Sequence, residues 1–311
     1  MIIRQGKPTN IHSYGATDTG KRRAHNEDCF AIIEVSTTEE DSLGTVLLVA
    51  DGMGGAQAGE VASDTVRAVI QDKFSMLTRP ITDHRDIERY LKNIVLEAHQ
   101  QIVMLAQAHP EYRGMGTTVV LAWLLDGYMH VVWCGDSRCY VYPKDQPSGS
   151  PFTDDHSLVW RMVQTGELTP EEARLHERSN VILQALGSTH SQPEPAYVNK
   201  QLTLGERILL CSDGLNGMLS DHQIQQCLEP YQDLRAVSQR LIDAANAAGG
   251  ADNITVVLAE VVSLPAPEEH PKEPPRTRHR RSWQIGILLL LIALITVVVW
   301  WNSQAFPLPS P

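Results

Sequence analysis

The chain has 311 residues, 42% hydrophobic and 20% charged, which is enough to bury one large core or two smaller ones. Its net charge of −11 argues against nucleic acid as the main partner. The region after Val262 holds five of the 26 basic residues and three of the 37 acidic ones, so the preceding body carries about −13. Met1 to Asn10 has no apolar h-region, so no signal peptide is expected. The five cysteines (Cys29, Cys134, Cys139, Cys211, Cys227) form no CxxC pair and mostly sit in apolar runs, which predicts reduced, buried thiols.

In chain order, Arg23-Ala24-His25-Asn26-Glu27-Asp28 leads into an apolar run from Cys29 to Val35, and Thr45 to Ala50 runs into Asp51-Gly52. Helices are predicted over Glu60 to Leu77 and Asp86 to Ala108, followed by a strand from Thr117 to Leu125. His130 to Cys134 meets Gly135-Asp136, and Cys139 to Tyr142 reads as another strand. Thr169-Pro170-Glu171-Glu172 combines a cap residue, Pro at the first helical position and acids in the first turn, so a short helix is predicted from Pro170 to Arg174. Arg207 to Ser212 runs into Asp213-Gly214. Helices are then predicted over Ser220 to Leu228 and Asp233 to Ala248, the second ending at Gly249-Gly250. Asp252-Asn253 opens a last apolar run, Ile254 to Val262. The strands come in two batches with paired helices between and after them, which favours antiparallel sheets over a doubly wound parallel sheet.

Four of these runs meet an aspartate beside a small residue: Asp51, Asp136, Asp213 and Asp252. Carboxylates converging without basic partners repel one another unless divalent cations lie among them. An all-oxygen ligand set suits Mg²⁺, Mn²⁺ or Ca²⁺. Arg23, three residues before Asn26-Glu27-Asp28, adds a planar, bidentate donor suited to phosphate. The pattern therefore points to a multi-metal carboxylate site with a phosphate substrate. No HxxxH or HExxH spacing is present, which argues against zinc.

With the motifs RxxNED (Arg23 to Asp28), DGMGG (Asp51 to Gly55), GTT (Gly116 to Thr118), GDSR (Gly135 to Arg138), DHS (Asp155 to Ser157), ALG (Ala185 to Gly187), SDGL (Ser212 to Leu215) and DNIT (Asp252 to Thr255), the chain resembles the metal-dependent protein serine/threonine phosphatases, the PPM or type 2C family, in its bacterial form. Their order and spacing match from roughly residue 11 to residue 262. The resemblance implies an α+β fold, a four-layer α-β-β-α sandwich of two antiparallel sheets flanked by helix pairs. It implies two core Mn²⁺ or Mg²⁺ ions bridged by Asp51, with the Gly52 carbonyl on one of them. Asp213 and Asp252 would complete the ligands of one ion, Glu27 and Asp28 would hold the other directly or through water, and Asp136 with Asp213 matches a third-ion position. Arg23 would clamp the phosphoryl group while a metal-bridging water attacks phosphorus. The stretch 161–180 matches a variable flap beside the site. Many eukaryotic members carry His as general acid where this chain has Met53, and a thioether donates no proton.

From Pro265 to Arg281 the chain reads as an extended Pro/Arg-rich linker, 285–301 is apolar apart from Gly286 and Thr296, and with Trp283 and Gln284 the stretch makes about 28 Å of helix with Trp283, Trp300 and Trp301 at its ends. The expected organisation is a phosphatase domain over 1–262, a linker over 263–282, a transmembrane helix over 283–301 and an external tail over 302–311. Arg276, Arg278, Arg280 and Arg281 predict a single-pass anchor in the cell membrane with the body cytoplasmic. The expected partners are phosphorylated Ser/Thr proteins, a cognate bacterial kinase and the membrane. The alternatives are an inactive phosphoprotein-binding scaffold, which retention of Asp51, Asp213 and Asp252 disfavours, and a structural cation site, which Arg23 beside the acids disfavours. Among lesser features, Gly114-Met115-Gly116 is read as a strand start, Asp154 and Asp155 as a solvated turn, His156 as a histidine bonded within the fold, and Ser212 and Thr255 as hydrogen-bond partners of the metal-binding acids.

Overall fold

The computed structural model describes residues 9–36, 42–55, 57–144, 149–189, 192–229, 233–265, 290–298 and 300–301. The chain divides into two compact units, Met1–Ala266 and Pro267–Pro311. In the first, the elements run β1 (Asn10–Asp18), β2 (Asp28–Ser36), β3 (Ser42–Met53), α1 (Gln57–Ser75), α2 (His84–Ala108), β4 (Gly116–Thr117), β5 (Val119–Leu125), β6 (Tyr128–Cys134), β7 (Arg138–Tyr142) and β8 (Ser150–Pro151). They continue with α3 (Leu158–Gln164), α4 (Pro170–Leu175), β9 (Ala196–Gln201), β10 (Arg207–Cys211), α5 (Asp213–Asn216), α6 (Asp221–Leu228), α7 (Leu234–Ala247) and β11 (Ile254–Ser263).

The strands form two antiparallel sheets, ordered β1-β11-β10-β7-β8 and β2-β3-β5-β6-β9, with β4 paired to β3. The apolar run of β3 is continuous because both its faces are covered. Val46, Leu48 and Ala50 point toward α1 and α2, where they join Val66, Ile70, Leu91 and Val95. Leu47 and Val49 point the other way and meet Leu210, Val257 and Ala259 of the opposite sheet. That sheet's outer face, with Leu209, Cys211, Val256 and Leu258, packs on Ile224 of α6 and on Val237 and Leu241 of α7. The two sheets thus face each other, and each carries helices on its outer side.

The helices start where local chemistry places them. Asp83 accepts from the backbone N–H groups of Arg85 and Asp86 to cap α2. Thr169 with Glu172 and Ser220 with Gln223 form reciprocal capping boxes at α4 and α6. Among the elements that were not expected, β1, β9 and α3 carry no strong apolar period. β1, an edge strand, gains its register from β11, with Thr17 opposite Thr255. All five cysteines are free thiols, and Cys134, Cys139 and Cys211 are buried.

The expected membrane anchor is overturned. Among the described residues no helix is long and apolar enough to cross a membrane. Residues 283–289 and 299 of the expected span, the linker from 266 and the tail 302–311 lie outside the described residues. The single-pass, cytoplasm-facing arrangement is therefore no part of the description of this chain.

The double-sided burial of β3 makes a stability prediction. Leu48, fully buried between sheet and helices, should cost about 2–5 kcal/mol when replaced by Ala, whereas Leu204, 60% exposed, should cost under about 0.5 kcal/mol. Urea unfolding of the two variants checks this, and equal midpoint shifts would contradict the layer assignment.

Candidate metal centre

Strand register sets the first element of the site. Asp28 on β2 stands opposite Asp51 on β3, at the end of that ladder. From the other sheet, the hydroxyls of Ser212 and Thr255 each donate to Asp28 Oδ2 at 2.7 Å. Asp213 comes one residue after β10, past Ser212, as the first residue of α5, Asp252 precedes β11, and Asp136 occupies the turn between β6 and β7. Five carboxylates from five places in the chain thus gather at one end of the paired sheets. Ser212 and Thr255 do bond an acid of the set, though it is Asp28 and not their sequence neighbours.

Backbone contacts hold the acids in place. The Asp51 carbonyl accepts from Thr118 N at 2.9 Å and from Thr117 Oγ1 at 2.9 Å, and Thr118 Oγ1 accepts from Asp51 N at 3.1 Å. The GTT motif therefore locks the Asp51 peptide. Gly52 is required because a Cβ there would run into the backbone carbonyls of Gly59 and Glu27, where α1 crosses the strand end. Asn253, a residue whose role the sequence did not reveal, accepts from Glu27 N at 2.8 Å and donates to the carbonyls of Thr19 and His25, both at 2.9 Å. One side chain thereby pins the loop that carries Arg23, Glu27 and Asp28.

Arg23 lies beside the acids, as its position implied, with Nη2 donating to Asp252 Oδ2 at 2.6 Å and half of its side chain exposed. The other Asp252 oxygen accepts from Asn253 N at 2.8 Å.

Burial and mutual repulsion dominate the electrostatics. Burial, opposed by the Thr255 and Ser212 hydrogen bonds and reinforced by Asp213 and Asp252, pushes the Asp28 carboxyl up to about 7. Burial and the Asp252 charge push Asp213 up to about 6. Asp51 is held well above the usual carboxylate range by burial and then by Asp28, Asp213, Asp136 and Asp252, and Asp136 by burial and then by Asp213 and Asp155. Glu27, buried at the edge of the set, is raised by burial. Asp136 Oδ1 and Asp213 Oδ1 are buried without a hydrogen-bond partner.

Such a set fits hard divalent cations, which replace repulsion with attraction and give orphaned oxygens a partner. Among the described residues no three His, Cys, Asp or Glu side chains already close around a single point. An ion held here would take part of its coordination from a backbone carbonyl and from water, since Mg²⁺ commonly uses only one or two carboxylates.

The lesser features divide. His156 is bonded within the fold: its Nδ1 accepts from Gly135 N at 3.4 Å and its ring stacks on Trp133. Met53 pairs in register with Gly116 and offers only a thioether. Asp155 is not in a solvated turn. Its carboxylate is 8% exposed and takes both arms of the Arg138 guanidinium, at 2.7 and 2.8 Å. Both residues were visible in GDSR and DHS, but nothing local shows that they meet.

A family model described as Protein phosphatase 2C matches residues 19–259. The chain is 35% identical over 250 residues to the serine/threonine phosphatase stp of Listeria innocua, covering 80% of this chain and 96% of that protein. It is 33% identical to protein phosphatase PhpP of Streptococcus pneumoniae, covering 79% and 95%. Among solved structures, serine/threonine phosphatase Stp1 from Staphylococcus aureus superposes with a TM-score of 0.75 at 31% identity, over 85% of this chain and all of that one. The catalytic domain of the serine/threonine protein phosphatase PstP in complex with two manganese ions gives 0.68 at 32% identity, over 81% and 99%. The last supports metal dependence for a site of this kind.

The raised carboxyl groups make a pH prediction. Asp28 and Asp213 hold protons in the folded chain that the unfolded chain releases near pH 4, so their contribution to stability is complete below about pH 4 and is lost as pH rises through about 6 to 7. In chelator, the Tm contribution of this site should fall across that window, and Mn²⁺ should reverse the fall. Replacing Asp28 by Asn should flatten the slope in chelator; an unchanged slope would sever the link to this residue.

Proposed function

Since the chain belongs to the protein phosphatase 2C family and is a protein-serine/threonine phosphatase, we propose that residues 1–262 hydrolyse phosphoserine and phosphothreonine in proteins with Mn²⁺ or Mg²⁺ as cofactor. The observation that carries this reading is the convergence of Asp28, Asp51, Asp136, Asp213 and Asp252 beside the exposed guanidinium of Arg23. Asp51 would serve both core ions. Asp213 and Asp252 would complete the ligands of one, Glu27 and Asp28 would hold the other, and the Gly52 carbonyl would serve one of the two. Asp136, with Asp213, would serve a weaker third. When bound, the ions supply a water of lowered pKa and positive charge where negative charge develops on the phosphoryl oxygens.

The chain's own residues do the rest. Arg23 presents a planar donor fork to the phosphoryl oxygens, a geometry that lysine lacks. Thr117 and Thr118 fix the Asp51 peptide, and Asn253 fixes the loop bearing Arg23, so acids and guanidinium keep their spacing without rearrangement at the moment of reaction. Met53 gives the leaving oxygen no proton. The counterpart of such an enzyme is a kinase that phosphorylates the same Ser and Thr side chains. An inactive scaffold is disfavoured, since Asp51, Asp213 and Asp252 are all retained.

Phosphate release from phosphothreonine peptides tests the reading, and it should require Mn²⁺ or Mg²⁺ and stop with chelator. Asp51→Asn should abolish nearly all turnover at any Mn²⁺ concentration. Asp136→Ala should lower turnover while the tightly bound ions remain in a calorimetric titration. Arg23→Ala should lower kcat/KM by about ten- to a hundredfold, the equivalent of roughly 1.5–3 kcal/mol for a charge-assisted contact, without weakening Mn²⁺ binding. Release unaffected by chelator would sink the proposal.

A further inference from the structure

Between β8 and β9 the chain leaves the sheets for an excursion containing α3 and α4, and its attachments lie at the acid-bearing turns. At its neck, Leu158 N donates to Val181 O at 2.9 Å and Leu183 N to His156 O at 2.7 Å. His156 in turn donates its backbone N–H to Gly135 O at 2.9 Å, next to Asp136. Farther out, Arg174 Nη1 donates to Gly217 O at 3.3 Å, and Gly217 N donates to the carbonyl of Asp213 at 2.7 Å. The excursion is thus fastened beside both Asp136 and Asp213. It exposes Leu175, Val181 and Leu183, at 70%, 38% and 39%, along the same segment as Arg178. Apolar side chains left in water at the rim of a site suit a polypeptide and are not needed by a bare phosphate ester.

The strongest of the fastenings is buried. Arg138, two residues beyond Asp136, sends Nε and Nη2 to the two oxygens of Asp155 at 2.8 and 2.7 Å. Its Nη1 donates to Tyr140 Oη at 3.1 Å and lies 3.6 Å from Asp221 Oδ1, while Tyr140 Oη donates to Asp221 at 2.9 Å. The guanidinium also sits 5.9 Å from the centre of the Trp160 ring on α3. One planar cation therefore joins β7, the neck of the excursion, α3 and the start of α6.

Resting on the functional reading above, we propose that Arg138 is a positioning residue that holds the α3–α4 excursion at the rim of the carboxylate end by clasping Asp155, and so governs hydrolysis of phosphoproteins while small phosphate monoesters scarcely depend on it. Lysine cannot reproduce the fork, since an ammonium offers a point charge where Asp155 takes two parallel N–H groups.

The test uses the full chain at saturating Mn²⁺, with phosphothreonine-containing casein and p-nitrophenyl phosphate assayed in parallel. Arg138→Lys should lose at least about tenfold in kcat/KM on the phosphoprotein, mainly through KM, and less than about threefold on p-nitrophenyl phosphate. Limited trypsin digestion should cut faster after Arg161, Arg174 or Arg178. Where that variant does not fold, Asp155→Asn, which keeps the volume and leaves Arg138 with Asp221, supplies the same comparison. Equal losses on both substrates, or no loss on either, overturn the proposal. A wild-type chain inactive on both substrates would instead overturn the functional reading and carry this proposal down with it.

Discussion

Repulsion among buried carboxylates is the constraint on which the rest of this structure depends. Asp51 feels Asp28, Asp213, Asp136 and Asp252 at once, in a place where burial already disfavours its charge. No single acid is exceptional, but together they form an assembly that is costly without cations. Stability has been given up at one end of the fold for a site that attracts divalent ions, and the three apolar cores elsewhere must carry it.

Holding repelling groups together needs stiff supports, and these are made of backbone. The acids sit at or just beyond strand ends, where a ladder of hydrogen bonds fixes the chain and the next residue is free to turn. Neutral side chains then close the gaps: Thr117 and Thr118 on the Asp51 peptide, Ser212 and Thr255 on Asp28, and Asn253 on the Glu27 loop. None of them adds charge, so they position the acids without cancelling the field that draws a cation. Arg23 is the counterweight, a single exposed guanidinium on Asp252 at the mouth of the site.

A division of labour follows. The paired sheets supply rigidity and the acids, and the α3–α4 excursion supplies a surface fastened beside them. Its polar fastenings are joined by two buried apolar side chains, Val159 and Ala173, whereas the sheets are packed on both faces. A segment held by Arg138, Arg174 and a short neck can change its exposed side chains without disturbing the acids it borders.

The amino-acid sequence alone determined a good deal. Runs such as Thr45 to Ala50 and Ile254 to Val262 are apolar on both faces, so they had to be buried strands, and the cap at Thr169 marked a helix start that the structure keeps. Asp51, Asp136, Asp213 and Asp252 stood out because each lies beside a small residue at one end of such a run, and the structure brings the four together. Weakly patterned elements were not legible: β1 and β9 are edge strands whose partners lie far along the chain, and α3 is too short to show a period. The apolar stretch near the C-terminus illustrates the opposite error, since hydropathy and length describe a span that no described helix provides. Only the tertiary structure decided that Asn253 pins the Arg23 loop, that Ser212 serves Asp28 and that Asp155 is buried against Arg138. These contacts join residues 17 to 234 positions apart. Local sequence reports what a residue can donate or accept; which partner it finds is set by strand register and sheet packing, which no local window contains.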